Sequence, residues 1–339
     1  MFQIRPSRPD DLEQVLAVAR HLDSVNLPAD RDHLERILDR SAASFAGTLE
    51  ASERELVFVL EDKSAGCIAG TSMIHAQHGT RRAPHIYFQI LKDERYSETL
   101  DRYFVHQCLR LGYNYDGPTE LGGLILLPAY RRHTDKLGRL LSFVRFVFIA
   151  MHRAEFRDRV IAELLPPLEN DRTSVLWEHL GKKFTGLTYQ EADLKSKYNK
   201  EFIRSLFPHE PIYVALLPDA VKRVIGKAGP ETRGVETMLC GIGFRFANQI
   251  DPFDGGPHFV AATDDITLVK GTHRVTCGET AGEPEGASWM VVAAEPGDAA
   301  TFRATAAWAE ESAGQVMLSA GARDAIEVSA GDPLWVVKP

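Results

Sequence analysis

The stretch from Leu121 to Arg139 carries the clearest chemistry. A strongly apolar run, residues 121–127, is stopped by Pro128 and gives way to a short cationic loop, Tyr130-Arg131-Arg132-His133-Thr134-Asp135-Lys136, which passes through Gly138 and Arg139 into a helix. The first amides of a helix have no intrahelical partner and its dipole favours negative charge there, so this order makes a cradle for an anion, phosphate above all. A charged loop that is simply solvated fits the same spacing. A second group is Asp251-Pro252-Phe253-Asp254-Gly255-Gly256-Pro257. Asp251 and Asp254 suit a guanidinium or an amine, and the run reads equally well as a turn closed by its own side-chain hydrogen bonds.

Holding these groups in place takes a chain of mixed helix and strand. The opening predicts a strand over 2–5, a turn over 6–9, and a helix with Leu12, Val15, Leu16, Ala19 and Leu22 at helical spacing, started by the capping-box-like pair Asp10 and Glu13. A second helix over 29–41 is followed by a hairpin of strands 55–60 and 66–74. A strand over 85–91 precedes a polar stretch; the run 121–127, apolar on both faces, is a central strand. The helix after Gly138 presents Leu140, Leu141, Val144, Val147, Phe148 and Met151 on one side. Then come a strand over 159–165, a helix over 174–180 with Gly181 as a left-handed cap, a helix-to-glycine ending at 236–244, and a strand over 245–250. Composition changes near residue 265, where the chain becomes rich in Ala, Gly and Thr and holds Trp289, Trp308 and Trp335, three of its 4 tryptophans. The expected division is therefore 1–265, an α/β domain, and 266–339, a small β-rich, barrel-like domain.

Composition narrows the partners. A formal charge of -8 argues against a general nucleic-acid binder, which needs a positive field, so an anionic ligand requires a local basic pocket. Cys67, Cys108, Cys240 and Cys277 are far apart, with no paired spacing and no secretory leader before Ile4, which points to reduced thiols in a cytoplasmic protein and to neither a disulfide framework nor a zinc or other metal site. No apolar run is long enough for a bilayer: the best, around 143–151, contains Arg145.

Several segments resemble arginine N-succinyltransferases. They are Glu120-Leu121 through Leu124-Ile125-Leu126-Leu127-Pro128; Gly138-Arg139-Leu140-Leu141-Ser142 with Arg145-Phe146; Trp177-Glu178-His179-Leu180-Gly181-Lys182-Lys183-Phe184; Pro211-Ile212-Tyr213; Val224-Ile225-Gly226; and Gly243-Phe244 with Ile250-Asp251 and Phe253-Asp254-Gly255-Gly256-Pro257. They are collinear with the family from Ile4-Arg5-Pro6 to Leu318-Ser319-Ala320 and Gly331-Asp332-Pro333, and the Trp177 and Phe253 segments are the most specific. The resemblance implies an acetyltransferase-like (GNAT-type) α/β fold, a mixed sheet flanked by helices. It also implies transfer of the succinyl group from succinyl-CoA to the α-amine of arginine, in arginine catabolism, with succinyl-CoA as cosubstrate and no permanently bound cofactor. Leu124 and Ile125 fall where the family contacts succinyl-CoA, Leu124 through its main chain because leucine has no polar side-chain group. Arg131, Arg132, Gly138 and Arg139 then hold the pyrophosphate, with amides near Gly138 and Arg139 as donors, and Asp251 and Asp254 face the amine substrate.

Two departures stand out. The family's proton-donating histidine falls on Gly229, in Lys227-Ala228-Gly229-Pro230, and His209, Tyr213 and Glu231 are the nearby groups able to replace it. Pro230 biases residue 229 to extended backbone, which a histidine can adopt. The family's two-glycine cradle is here two residues longer and keeps only Gly138. These departures leave room for an acyltransferase with a different amine or acyl donor, and for a noncatalytic paralogous subunit, since the family includes a two-subunit form; a homo-oligomer or a hetero-oligomer with a paralogue is expected.

Overall fold

The computed structural model describes residues 1–21, 27–81, 83–169, 173–196, 199–282 and 286–339. Strand β1 (Phe2–Pro6) leads to helices α1 (Leu12–Ala19) and α2 (Arg31–Phe45). Leu22, expected at the end of the first helix, lies outside the described residues. The start of α1 differs from expectation. A 3-10 turn, Pro9–Asp11, precedes it, and Asp11 rather than Asp10 accepts from the Arg8 amide at 2.7 Å while both its oxygens take the Arg5 guanidinium at 2.8 and 2.9 Å. Strands β2 (Glu55–Asp62) and β3 (Cys67–His75) form the expected hairpin. The strand expected over 85–91 extends through the polar stretch after Leu91: β4 (His85–Ser97) and β5 (Arg102–Asn114) pair from His85 opposite Asn114 out to Ser97 opposite Arg102. Both faces of its distal half are largely exposed, so no alternation marks it in the sequence.

Strand β6 (Thr119–Leu126) runs into helix α3 (Leu137–Met151), and β7 (Arg159–Glu163) follows. The helix predicted over 174–180 is Val175–His179, and Gly181 does not cap it. It opens a further turn, Gly181–Thr185, whose left-handed cap is Gly186 at φ 71°. Gly181 instead lies against the Trp177 indole, where a Cβ would come within 2.3 Å of the ring. The remaining strands are β8 (Ile212–Tyr213), β9 (Arg245–Ile250), β10 (Pro257–Ala262), β11 (His273–Thr280), β12 (Ser288–Ala294), β13 (Arg303–Ser312), β14 (Gln315–Ser319) and β15 (Pro333–Val337).

The chain divides into two compact units, but not at a single point. The first comprises Met1–Gln77, Thr119–Asp158 and Ala262–Pro339. Its strands run in the order β12-β15-β11-β14-β13-β1-β2-β3-β6. The pairing of β11 with β14 is parallel and its neighbours are antiparallel, so the sheet is mixed. The apolar stripes of α1 and α2 close over Val57, Val59, Ile68, Met73 and Ile125, and the rings of Phe45, Phe58, Phe148 and Phe302 meet edge to face at 5.2 to 5.7 Å. Residues beyond 265 are β-rich with a core of their own around Val292, Val316, Leu318 and Val336, yet they belong to this unit because β13 pairs with β1 and Thr305 Oγ1 donates to Phe2 O at 2.7 Å. Compactness thus groups them with the N-terminus instead of separating them at residue 265.

The second unit is His78–Pro118 with Arg159–Ala261. Its strand order is β7-β10-β9-β4-β5-β8. Its core gathers Phe88, Leu109, Trp177, Phe207, Ile250 and Phe253. The α/β architecture of a mixed sheet with helices packed on it is the one expected, and no helix among the described residues is long and apolar enough to cross a membrane.

Candidate active site

In the first unit, β6 does not run straight. Thr71 lies opposite Ile125 and Met73 opposite Gly122, so Ser72 alone faces both Gly123 and Leu124. That is a β-bulge, which takes a residue out of the regular ladder and bends the strand locally. Gly123 is at φ +55°, and a Cβ there would lie 2.8 Å from Met73 Sδ, so the bulge depends on glycine. Thr71 Oγ1 donates to Gly123 O at 2.9 Å and pins it. Leu124 therefore stands at an irregular point of the central strand, while Ile125 next to it is buried in the core and has only its main chain to offer.

Beyond β6 the loop makes a 3-10 turn, Pro128–Tyr130, and reaches α3 through Arg132 at φ 61° and Lys136 at φ 54°. Arg131 Nε donates to Leu126 O at 3.1 Å, and Arg131 and Arg132 are exposed. Gly138 faces open space, with only Leu126 Cδ2 at 3.7 Å from the place of a Cβ. The Arg139 amide is not an available donor: it closes a turn to Lys136 O at 2.8 Å, and Leu140 N shares that acceptor at 3.1 Å. This leaves the amides of Leu137 and Gly138 at the helix start. The Arg139 guanidinium lies 5.2 Å from the Phe143 ring and 5.4 Å from the Trp289 ring, Lys136 Nζ is 5.1 Å from the Trp308 ring, and Trp289 Nε1 donates to Asp135 O at 3.2 Å. Two of the tryptophans in the β-rich segment thus brace the cationic loop, a role that composition alone did not reveal.

The second unit contains a cluster that no local motif announces. His78 Nε2, His85 Nε2 and His258 Nε2 lie 3.9, 3.0 and 3.6 Å from the same oxygen, Glu163 Oε1. His85 and His258 stack with ring centroids 5.3 Å apart, and His78 and His85 are 4.6 Å apart. Burial alone would raise the Glu163 carboxyl, but the charge of His258, His85 and His78 outweighs it and holds Glu163 well below its usual range. The expected pair Asp251 and Asp254 lies in the same unit. Its reading as a turn has structural support. Asp251 Oδ1 accepts from the Phe253 amide at 2.6 Å and Asp254 Oδ1 from the Gly256 amide at 2.7 Å, as a turn requires. Yet burial, together with neighbouring Glu163, pushes Asp251 up to about 6, and burial with Asp251 pushes Asp254 well above its usual range. Burial is the larger cause for both carboxyls and neighbouring negative charge the second.

Gly229 is buried against the segment that follows Glu163. Its amide donates to Leu165 O at 2.8 Å, and a Cβ would lie 2.6 Å from Pro166 O. A histidine is therefore not accommodated at this position, against the expectation drawn from Pro230, because the obstacle is neighbouring backbone and not the local φ. The three nearby groups are placed elsewhere: His209 and Glu231 are exposed, and the Tyr213 hydroxyl donates to Asp93 Oδ2 at 2.5 Å, which raises its pKa.

Comparison with known proteins places the chain. The family profile AstA, arginine N-succinyltransferase beta subunit, matches residues 2–268. The chain is 32% identical to the arginine N-succinyltransferase of Enterobacter sp. (strain 638) and 30% identical to that of Escherichia coli (strain SE11), each over 100% of this chain and 98% of the relative. The solved structure of arginine/ornithine succinyltransferase subunit AI from Pseudomonas aeruginosa superposes with a TM-score of 0.84 at 29% identity, covering 100% of this chain and 98% of that one. The bulged strand, the cationic loop and the Trp177 and Phe253 segments thus sit in a chain that matches these relatives from end to end, and it belongs to the arginine N-succinyltransferase family.

Proposed function

We propose that this protein transfers the succinyl group of succinyl-CoA to the α-amine of arginine. The observation that carries the reading is family membership along the whole chain, joined to a bulge at Leu124 on the strand that feeds the cationic loop. In the transfer the neutral amine attacks the thioester carbonyl, a C–N bond forms, the C–S bond breaks, and the proton lost by the amine is balanced by the one the CoA thiolate finally takes up. The main-chain amide of Leu124, at the bulge, suits a donor to the developing oxyanion. The Leu137 and Gly138 amides with Arg131 and Arg132 suit the pyrophosphate, and Arg139, held on aromatic rings, adds positive charge beside them. Asp251 and Asp254 suit an arginine cation, whose charge would draw their raised pKa values back down. With Gly229 in place of the family's imidazole, loss of a general acid costs about a hundredfold to ten-thousandfold in rate and leaves the transfer possible, because a thiolate leaves unaided.

Succinyl-CoA and arginine as partners, a role in arginine breakdown, a cytoplasmic location and an oligomeric state belong to this same reading. The noncatalytic alternative is not favoured, because the match extends over 98% of a relative named as the enzyme itself. Free-thiol release from succinyl-CoA with arginine, followed by mass detection of the succinylated product, tests the proposal. Release at the spontaneous rate by folded protein, with arginine and with a panel of other amines, overturns it.

A further inference from the structure

We propose that His78, His85 and Glu163 form a binding site for a divalent transition-metal ion of the zinc class, each side chain giving one ligand atom. Their ligand atoms all lie within 4.8 Å of one another. A four-coordinate zinc ion with bonds near 2.0 to 2.1 Å sets its ligand atoms about 3.3 Å apart. The separations from Glu163 Oε1 to His85 Nε2 and His78 Nε2, 3.0 and 3.9 Å, bracket that value, so small side-chain shifts close the shell.

The donor set chooses the ion. Two imidazoles and one carboxylate suit zinc and its first-row neighbours, and not magnesium or calcium, which take oxygen ligands. The surroundings are those of a supported site. His258 and Asp251 form a second group with Glu163 inside the same 4.8 Å limit, His258 Nε2 lying 3.6 Å from the same Glu163 oxygen, and such neighbours orient a ligating carboxylate. His85 is 3% exposed, whereas the side chains of His78 and Glu163 are 23% and 25% exposed, giving the ion a path in. Three ligands leave a coordination position for water or a substrate atom. Nothing in succinyl transfer requires such an ion, and the site does not rest on that reading.

The test uses full-length, untagged protein stripped with chelator, carrying Cys240→Ala so that its exposed free thiol takes up no metal. Calorimetric titration with zinc chloride, and metal analysis after gel filtration, should show one zinc per chain. His78→Asn, His85→Asn and Glu163→Gln should each weaken binding by about tenfold or more, whereas His209→Asn, at an exposed position, should leave it unchanged. Cobalt(II) should give the visible absorption bands of a low-coordinate site, and His78→Asn should abolish them. His78 is the less buried of the two imidazoles, so this variant keeps the test decisive even if His85→Asn does not fold. No saturable zinc uptake by folded protein, or uptake that His78→Asn leaves intact, overturns the proposal, whatever the succinyl-transfer assay shows.

Discussion

The Trp177 indole stacks on the Phe253 ring, with centroids 5.0 Å apart and planes 7° from parallel. The two most specific segments of the sequence therefore meet face to face, and Ser174 Oγ, at the start of the Trp177 helix, also donates to Phe253 O at 2.8 Å. Phe253 stands between Asp251 and Asp254, so the stack fixes the turn that presents both carboxyls. Phe253→Ala should destabilise the protein by about 3 to 5 kcal/mol in urea unfolding. Phe253→Leu, which keeps much of the volume, should cost less in stability while raising the KM for arginine more than that for succinyl-CoA. Equal changes in both KM values would detach the stack from the amine subsite.

At Gly229 the obstacle to a side chain is backbone. A Cβ at 2.6 Å from Pro166 O and 3.1 Å from Leu165 O cannot be relieved by rotating a side chain. Gly229→Ala should cost about 1 to 3 kcal/mol, in the range of overpacked cores, and Gly229→His more. Neither should raise turnover. A Gly229→His protein that unfolds at the parent's urea midpoint would show that the segment at 165–166 moves aside and that the imidazole position is still usable.

The bulge at Gly123 allows a two-residue test. Gly123→Ala should destabilise by about 1 to 2 kcal/mol, the cost of a non-glycine residue at positive φ plus the contact with Met73, and should lower kcat for succinyl transfer. Met73→Ala in the same chain removes the contact, whose nearest atoms are Met73 Cγ and Sδ at 2.8 Å, and leaves the backbone strain. A double-mutant cycle in stability should therefore show coupling between the two sites. Strict additivity would mean that Met73 does not hold the bulge.

How much of this was legible in the sequence depends on the range over which each signal acts. Strand 119–126 and α3 were visible because a doubly apolar run and a 3.6-residue stripe are local patterns, and the cationic loop was visible as composition. The distal halves of β4 and β5 were not, since a hairpin exposed on both faces has no alternation to read. The imidazole and carboxylate cluster was invisible for another reason. His78 precedes β4, His85 begins it, Glu163 ends β7 and His258 lies in β10, so only strand pairing brings them together, and each alone reads as an ordinary residue. Gly181 misled because a glycine after a helix usually caps it, whereas here the missing side chain makes room for the Trp177 ring. The same limit hid the crowding at Gly229, which comes from a segment far away in the chain.

The cationic loop separates ligand binding from folding unusually cleanly. Gly138 faces open space, with nothing nearer than Leu126 Cδ2 at 3.7 Å, so Gly138→Leu should leave the urea midpoint close to the parent's. At a helix start that receives a pyrophosphate, the same side chain stands in the path of the Leu137 and Gly138 amides. Calorimetric titration with CoA should then show a large loss of affinity in a folded protein. Arg131 and Arg132 are exposed, so replacing both by Ala should also spare stability while weakening CoA about five- to a hundredfold, with a shallower dependence on salt because screened charge is removed. Trp289→Leu gives the third arm. It removes the ring under Arg139 and the donor to Asp135 O at 3.2 Å, so it should loosen the loop and weaken CoA without deleting any charge. Unchanged CoA affinity in both Gly138→Leu and the double arginine variant would sink the cradle and leave these residues as a solvated face.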